Sequence, residues 1–422
     1  MDPTTAEQVE LAARESYGRL LAWLASRCGN IATAEDALGD ALAEAVRRWP
    51  ATGVPDNPEA WLLTVARRRL VDEVRRDVRR DETVASLGHE ALRLQHEALE
   101  AAESPLGGVP ERRLELLFAC AHPDVAEEMR TPLMLQTVLG LTAEQIASAM
   151  LLAPATVGQR LVRVKRRIAE RGIPFRVPDD DELPERVGPV LDAVYAAYVT
   201  GWDGDAEVAE HGHGLAGEAI WLAGLLVRLL PDEAEAKGLY ALLCLSESRR
   251  PARRGDDGAY VPISEQDTTR WDHDLLLAGE QALWLAARQH RPGRYQIEAS
   301  IQSLHAHRAR TGVTDWAAIG EAYALLVEQY PTLGATIGWA ASLGRIDRVD
   351  DALVLLDRLD ERSVERHQPF WAVRAWLLAA AERAAEADEA YDRAVGLSSD
   401  PAVRDWLRDQ QGGRGRPPEG RH

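Results

Sequence analysis

Between Thr156 and Gly172 the chain reads TVGQRLVRVKRRIAERG, six Lys/Arg residues against one Glu in a protein whose formal net charge is −19. At helical spacing Val157, Leu161, Val164 and Ile168 share one face, and Thr156, Gln159, Arg160, Arg163, Arg166 and Arg167 share the other. The outer side chains suit DNA. Arg pairs bidentately with guanine and Gln with adenine. A chain with net repulsion from phosphate must also focus its positive charge on the contacting element, because counterion release comes only from there. Cationic helix faces are equally common as plain solvated surface, so the stretch alone leaves both readings open.

The elements that would hold this face are legible. Upstream, LTAEQIASAMLLAP (141–154) places Thr142 and Gln145 at capping-box spacing, followed by the apolar stripe Ile146, Ala149 and Met150. Pro154 suits the first turn of a second helix. Two short helices around a tight turn, the second cationic on its outer face, make a helix-turn-helix whose recognition helix could enter a major groove. A second basic element is PEAWLLTVARRRLVDEVRRDVRR (58–80). It reads as one long amphipathic helix with Leu62, Val65 or Ala66, Leu70 and Val74 inward and Arg67, Arg68, Arg75, Arg76 and Arg79 outward. Trp61 at its start, beside those cations, suits single-stranded nucleic acid, or else belongs to the core. Before it, AEDALGDALAEAVRRW (34–49) sets Asp36, Asp40 and Glu44 at i, i+4 and i+8 on one helix face, either a solvated stripe or a dock for a basic partner.

At 422 residues the chain exceeds the size of one core, so two or three domains are expected. Residues 1–176 carry 23 Lys/Arg against 26 Asp/Glu, and residues 177–422 carry 26 against 42. The boundary falls in GIPFRVPDDDELPER (172–186), where Pro174, Pro178 and Pro184 bracket four consecutive acids. Residues 81–110, six acids to one Arg with the loop SPLGGVP, read as a linker between two small basic modules. Helix-forming residues dominate throughout and period-two alternation is absent, so the fold class is all-α. No apolar run is long enough for a membrane helix and the N-terminus is polar and acidic, which points to a cytoplasmic protein. Three scattered cysteines, Cys28, Cys120 and Cys244, form neither a metal motif nor a disulfide framework.

Residues 10–172 resemble the two modules of an extracytoplasmic-function (group IV) sigma factor of bacterial RNA polymerase. AEDALGD and EAWLLTVARRRLVDEVRR occupy the places of the family's core-binding and Trp-containing basic helices, and LTAEQIASAMLLAPATVGQRLVRVKRRI that of its helix-turn-helix. Gly39 replaces the usual Gln of the core-binding helix, and Leu151 stands where a turn glycine is frequent. The motifs LLVRLLPDEAEAKGLYAL and SRRPARRGDDGAYVPISEQDTTRWD further resemble a subgroup with a long tetratricopeptide-like C-terminal extension. In that subgroup a FNEGY-like stretch follows the junction, where YVTGW (198–202) stands here.

The resemblance implies an architecture and a set of roles. Region 2 is a helical bundle (8–80), followed by a flexible linker (81–110), a region 4 helix-turn-helix domain (111–176), a helical-repeat extension (186–410) and a disordered tail (411–422). Asp36, Asp40 and Glu44 would dock on the polymerase core. Trp61, Arg67, Arg68, Arg75 and Arg76 would capture the −10 element, with the loop 55–59. Thr156, Gln159, Arg160, Arg163, Lys165 and Arg167 would read the −35 duplex. The acidic linker would thread a channel built for nucleic acid.

Within the extension, WAVRAWLLAAAERAAEADEAYDRA (371–394), residues 317–330 and residues 350–359 read as helices of such pairs, with Ala387, Tyr391 and Ala394 resembling a repeat's second helix, although no clean 34-residue period runs through. A stacked helical surface favours a protein partner. No catalytic constellation emerges. His211 with His213 and His305 with His307 lack a third ligand, Asp203, Asp205 and Glu207 lack the glycine and closing glutamate of a calcium loop, and no phosphate-loop or nucleophile-elbow motif occurs. The expectation is a non-enzymatic sigma factor with no cofactor and no metal, whose partners are core polymerase and promoter DNA. A helix-turn-helix regulator acting without polymerase and a repeat scaffold with merely solvated basic helices are the alternatives.

Overall fold

The computed structural model describes residues 5–80, 111–149, 154–202 and 214–413, so the linker 81–110, the turn 150–153 and the acidic and histidine motifs of 203–213 lie outside the described residues. The described residues are helical with no strand, only an isolated bridge between Arg254 and Tyr260. They divide into two units, Met1–Ala219 and Ile220–His422.

The first unit begins with α1 (Thr5–Cys28), α2 (Ile31–Thr52) and α3 (Pro58–Arg80), which pack mutually. Asn30 caps α2 by accepting from the Thr33 amide, and Asn57 accepts from the Ala60 amide where Pro58 opens α3. On α3 the expected apolar residues Leu62, Ala66 and Leu70 are buried, and on α2 Ala34, Leu38, Ala41 and Ala45 are buried. Each fully buried leucine contributes about 1.5–3 kcal/mol relative to exposure, which fixes the rotation of each helix.

Four helices follow: α4 (Arg113–Cys120), α5 (Glu127–Thr137), α6 (Ala143–Ala149) and α7 (Pro154–Arg171). The capping box at the start of α6 closes in both directions, the Gln145 amide donating to Thr142 Oγ1 at 3.2 Å and the Thr142 amide to Gln145 Oε1 at 2.8 Å. Helix α7 ends in a Schellman turn. Gly172 takes φ +61° and the Ile173 amide reaches back to the Ile168 carbonyl, while Ile173 itself is buried.

The proline-rich segment after Ile173 is non-helical, but it does not bound the unit. Helix α8 (Leu183–Trp202) packs back on α4 and α5, burying Val187, Val190, Leu191 and Val194. The division falls instead between residues 219 and 220, within α9 (Leu215–Leu229). Composition located a break in helix and in charge. It could not show that the next apolar face returns to the same core.

The second unit stacks α10 (Ala234–Glu247), α11 (His273–Ala287), α12 (Arg294–Ala306), the short α13 (Arg308–Thr311), α14 (Trp316–Gln329), α15 (Leu333–Arg345), α16 (Val349–Asp357), the short α17 (Glu361–Val364), α18 (Gln368–Ala380), α19 (Ala384–Leu397) and α20 (Pro401–Gly412). Ala387, Tyr391 and Ala394 enter the core shared by α15 to α20. Two of its turns are copies. Asp347 and Glu382 both take φ +59°, the Arg348 and Arg383 amides return to Leu343 and Leu378, and those arginines bind Asp351 and Glu386 at 2.7 Å. Helix α20 runs through Gly412, into the stretch expected to be a disordered tail from Gln411, and residues 414–422 lie outside the described residues.

Candidate nucleic-acid interface

Helix α7 carries the cationic face. Burial of Val157, Leu161 and Ile168 against the preceding helices turns Thr156, Gln159, Arg160, Arg163, Arg166 and Arg167 to solvent. Arg166 pairs with Glu170 one turn on at 3.2 Å, both side chains exposed, a contact worth a few tenths of a kcal/mol. The face can present Gln and Arg donors to base edges and phosphates at once.

Lys165 departs from the expectation. It is only 7% exposed, and its Nζ donates to both carboxylate oxygens of Glu35 on α2 at 2.6 Å. Its position in the helix falls between the buried row and the outer face, so the neighbour decides where it points, and the neighbour is an acid. Burial raises the Glu35 carboxyl above the ordinary range, with Lys165 pulling the other way, and Glu35 in turn adds to the burial that pushes up the Tyr17 phenol.

The α3 side chains are more engaged than their pattern suggests. Trp61 is half-buried, its ring edge-on to buried Trp49 with centroids 5.4 Å apart. Arg67 lies over the Trp23 ring at 4.3 Å, and Arg27 stacks on the same ring at 5.2 Å. Arg69, which no motif singled out, reaches Asp40 at 3.7 Å and Glu44 at 3.8 Å. Arg68 is exposed, and the side chains of Arg75 and Arg76 lie outside the described residues.

The acidic row on α2 divides in two. Asp36 and Asp40 are exposed, whereas Glu44 is gripped by Arg47 at 2.6 Å and Arg48 at 2.5 Å, and the Arg47 hydrogen bond leads in holding its carboxyl below the usual range. Sequence spacing put the three on one face. It could not show that Arg69, from another helix, also reaches Glu44.

A further group of charges was missed because its members are far apart in sequence. Arg19 on α1 pairs with Glu59 at 2.5 Å, and Arg113 on α4 pairs with Glu111 at 2.8 Å and with Glu218 at the start of α9. Elsewhere the titratable groups argue for structure. Burial pushes the Cys120 and Cys244 thiols up to about 12, and His305, buried edge-on to Trp316, is depressed to about 3. His307 lies at the N-cap of α13. No group of three or more metal-ligand side chains converges among the described residues.

Residues 13–80, the α1–α3 bundle, match the family described as sigma-70 region 2. Through this region 2 domain the chain is related to the sigma-70 family. A sigma-70 region 2 domain supports a role in transcription initiation with RNA polymerase and implies binding of the core enzyme. Residues 186–287 match a family of unknown function, DUF6596, which covers α8 to α11. An uncharacterized protein of Rhizobium meliloti (strain 1021) is 35% identical over 383 residues, 90% of each chain. No solved structure matches the chain. No helix among the described residues is long and apolar enough to cross a membrane.

Proposed function

We propose that this sigma-70 protein is of the extracytoplasmic-function type: a cytoplasmic, non-enzymatic initiation factor that carries core RNA polymerase to promoters through two DNA-reading modules. The observation that carries the reading is the pairing of a region 2 bundle with a second module whose helix α7 turns Gln159, Arg160, Arg163 and Arg167 outward. In this scheme Asp36 and Asp40 on α2 dock on a basic surface of the core enzyme, with Glu44 paired to Arg47, Arg48 and Arg69 beside them.

On α3, Arg68 contacts the −10 region directly together with Arg75 and Arg76, while Arg67 and Trp61 stiffen the helix against Trp23 and Trp49. On α7, Thr156, Gln159, Arg160, Arg163 and Arg167 read the −35 duplex. The stacked helices after residue 220, with copied turns 35 residues apart at Asp347 and Glu382, form a tetratricopeptide-like surface for a protein partner.

The deciding experiment is run-off transcription by core polymerase with the full chain on promoters selected from genomic fragments, beside co-elution with core enzyme. Stoichiometric co-elution and specific transcripts are expected. DNA binding with neither would instead make the protein a helix-turn-helix regulator that works without polymerase.

A further inference from the structure

In the second unit the connection from Glu247 to His273, between α10 and α11, is far longer than the roughly 2–8 residues that join helices in a bundle, and connections of that length usually serve a function. It carries the motif SRRPARRGDDGAYVPISEQDTTRWD, which the promoter reading leaves without a role. The connection has a 3-10 turn at Arg250–Ala252, a bridge between Arg254 and Tyr260, and a second 3-10 turn at Thr268–Arg270. Ala252 and Trp271 pin its ends in one apolar cluster with Leu245, Leu276 and Ala306. Between those pins, residues 253–265 are half-buried or exposed, while the apolar cores beneath are built by α12, α14 and α15 and by α15 to α20 themselves. The segment is seated on the helices and is not part of what holds them together.

Its seat runs from α13 to α20. On α13, Arg308 donates through one nitrogen to the Ile263 carbonyl at 2.9 Å and to the Gln266 carbonyl at 2.7 Å. Arg345, at the end of α15, stacks on Trp316 at 5.2 Å and on Trp376 at 5.0 Å, and the exposed Glu265 supplies the negative charge that acts on it. At the far end Arg254 pairs with Asp400, the N-cap of α20, and the Tyr260 ring stands edge-on to Trp406 with centroids 5.5 Å apart. Backbone carbonyls taken by a cation, ring against ring and charge against charge are how a protein surface holds an extended peptide, the backbone contacts giving affinity and the side chains specificity.

We propose that this strip, from Arg308 through Arg345 to Asp400 and Trp406, is the partner-binding site of the second unit, that it takes an extended protein segment presenting a basic, an aromatic and an acidic residue in that order, and that the chain's own residues 253–266 hold it as a tethered competitor. The proposal rests on the reading of the second unit as a surface for a protein partner. The order is that of Arg254, Tyr260 and Glu265, each of which meets its complement on the strip. A segment tethered at both ends acts at an effective concentration of about millimolar, which excludes weak competitors and yields to a tight one. Its slight burial makes lifting it far easier than opening the helices below.

The test uses the full chain and a fluorescent synthetic peptide of residues 253–266, RRGDDGAYVPISEQ. Arg254→Ala with Tyr260→Ala loosens the tethered copy and leaves the strip intact, so peptide affinity measured by anisotropy should rise about tenfold or more over the parent chain, the factor by which the open fraction grows. In that background Asp400→Asn, which keeps a capping side chain on α20, and Trp406→Leu should each remove most of the gain. Saturating peptide should also speed hydrogen exchange in the parent chain's own residues 253–266. Should the double variant not fold, Arg254→Ala alone carries the same expectation with a smaller gain.

Equal peptide affinity in the parent and the loosened chain overturns the tethered competitor. A scrambled peptide of the same composition that binds equally well overturns the stated order of residues. Tight binding that survives both Asp400→Asn and Trp406→Leu overturns this strip, yet keeps the second unit a surface for protein segments. No peptide binding by a loosened chain whose own segment exchanges faster than the parent's overturns the strip and the partner reading together.

Discussion

Helices α3 and α7 have similar cationic patterns, yet their surroundings use the charge in opposite ways. On α3, Arg67 is stacked on Trp23, Arg69 is drawn to Asp40 and Glu44, and Trp61 is set against Trp49. On α7, Arg160, Arg163 and Arg167 face solvent, and only Lys165 is drawn inward, by a carboxylate from another helix. A basic stripe thus stays open to solvent only where no acid or aromatic ring of the same fold claims it first. The contrast separates positions that should affect function alone from positions that should affect stability.

The largest effect is expected on α7. Arg160→Ala together with Arg163→Ala should cost ~2–6 kcal/mol in −35 duplex binding, at ~1–3 kcal/mol for each base contact, with thermal stability unchanged because both side chains are exposed. Equal weakening on every duplex sequence would mark them as phosphate contacts. Next, charge reversal at the exposed pair, Asp36→Lys with Asp40→Lys, should abolish co-elution with core polymerase, a loss of about a hundredfold or ~2.8 kcal/mol. Unchanged co-elution would remove α2 from the docking surface.

The contrast within α3 is smaller. Arg67→Ala should lower unfolding stability by about 1 kcal/mol through loss of the Trp23 stack, while Arg68→Ala should leave it within about 0.5 kcal/mol and weaken DNA binding instead. The reverse order in a denaturant melt would break the comparison. The smallest effect concerns Gly39, exposed at mid-helix with open space where a Cβ would go: Gly39→Ala should raise stability by ~0.5–1 kcal/mol. Gly39→Gln, restoring the residue usual in the family it resembles, should add a gain in core-enzyme affinity.

Much of the site was legible because it is local. The capping box at Thr142 and Gln145, the buried row Val157, Leu161 and Ile168, and the bounds of α3 all depend on neighbours within a few residues, where helical period dictates geometry. The contact of Lys165 with Glu35 spans 130 residues and that of Arg113 with Glu218 spans 105, so no spacing rule could announce either. The repeat in the extension fell between these cases. Its 35-residue recurrence at Asp347 and Glu382 is carried by turn conformation and an Arg–acid pair more than by apolar identity, so a search for a repeated hydrophobic pattern passed over it.

By itself the sequence determined the helical class, the two basic helices and the faces they bury, because propensity and apolar period act over single turns whatever the rest of the chain does. Only the tertiary structure decided which cations remain available, that α8 joins the core of the first unit across a proline-rich break, and that α7 is joined to α2 through Lys165 and Glu35. Those outcomes depend on which acid, ring or apolar surface arrives from a distant part of the chain, and burial then makes the chosen partner costly to exchange.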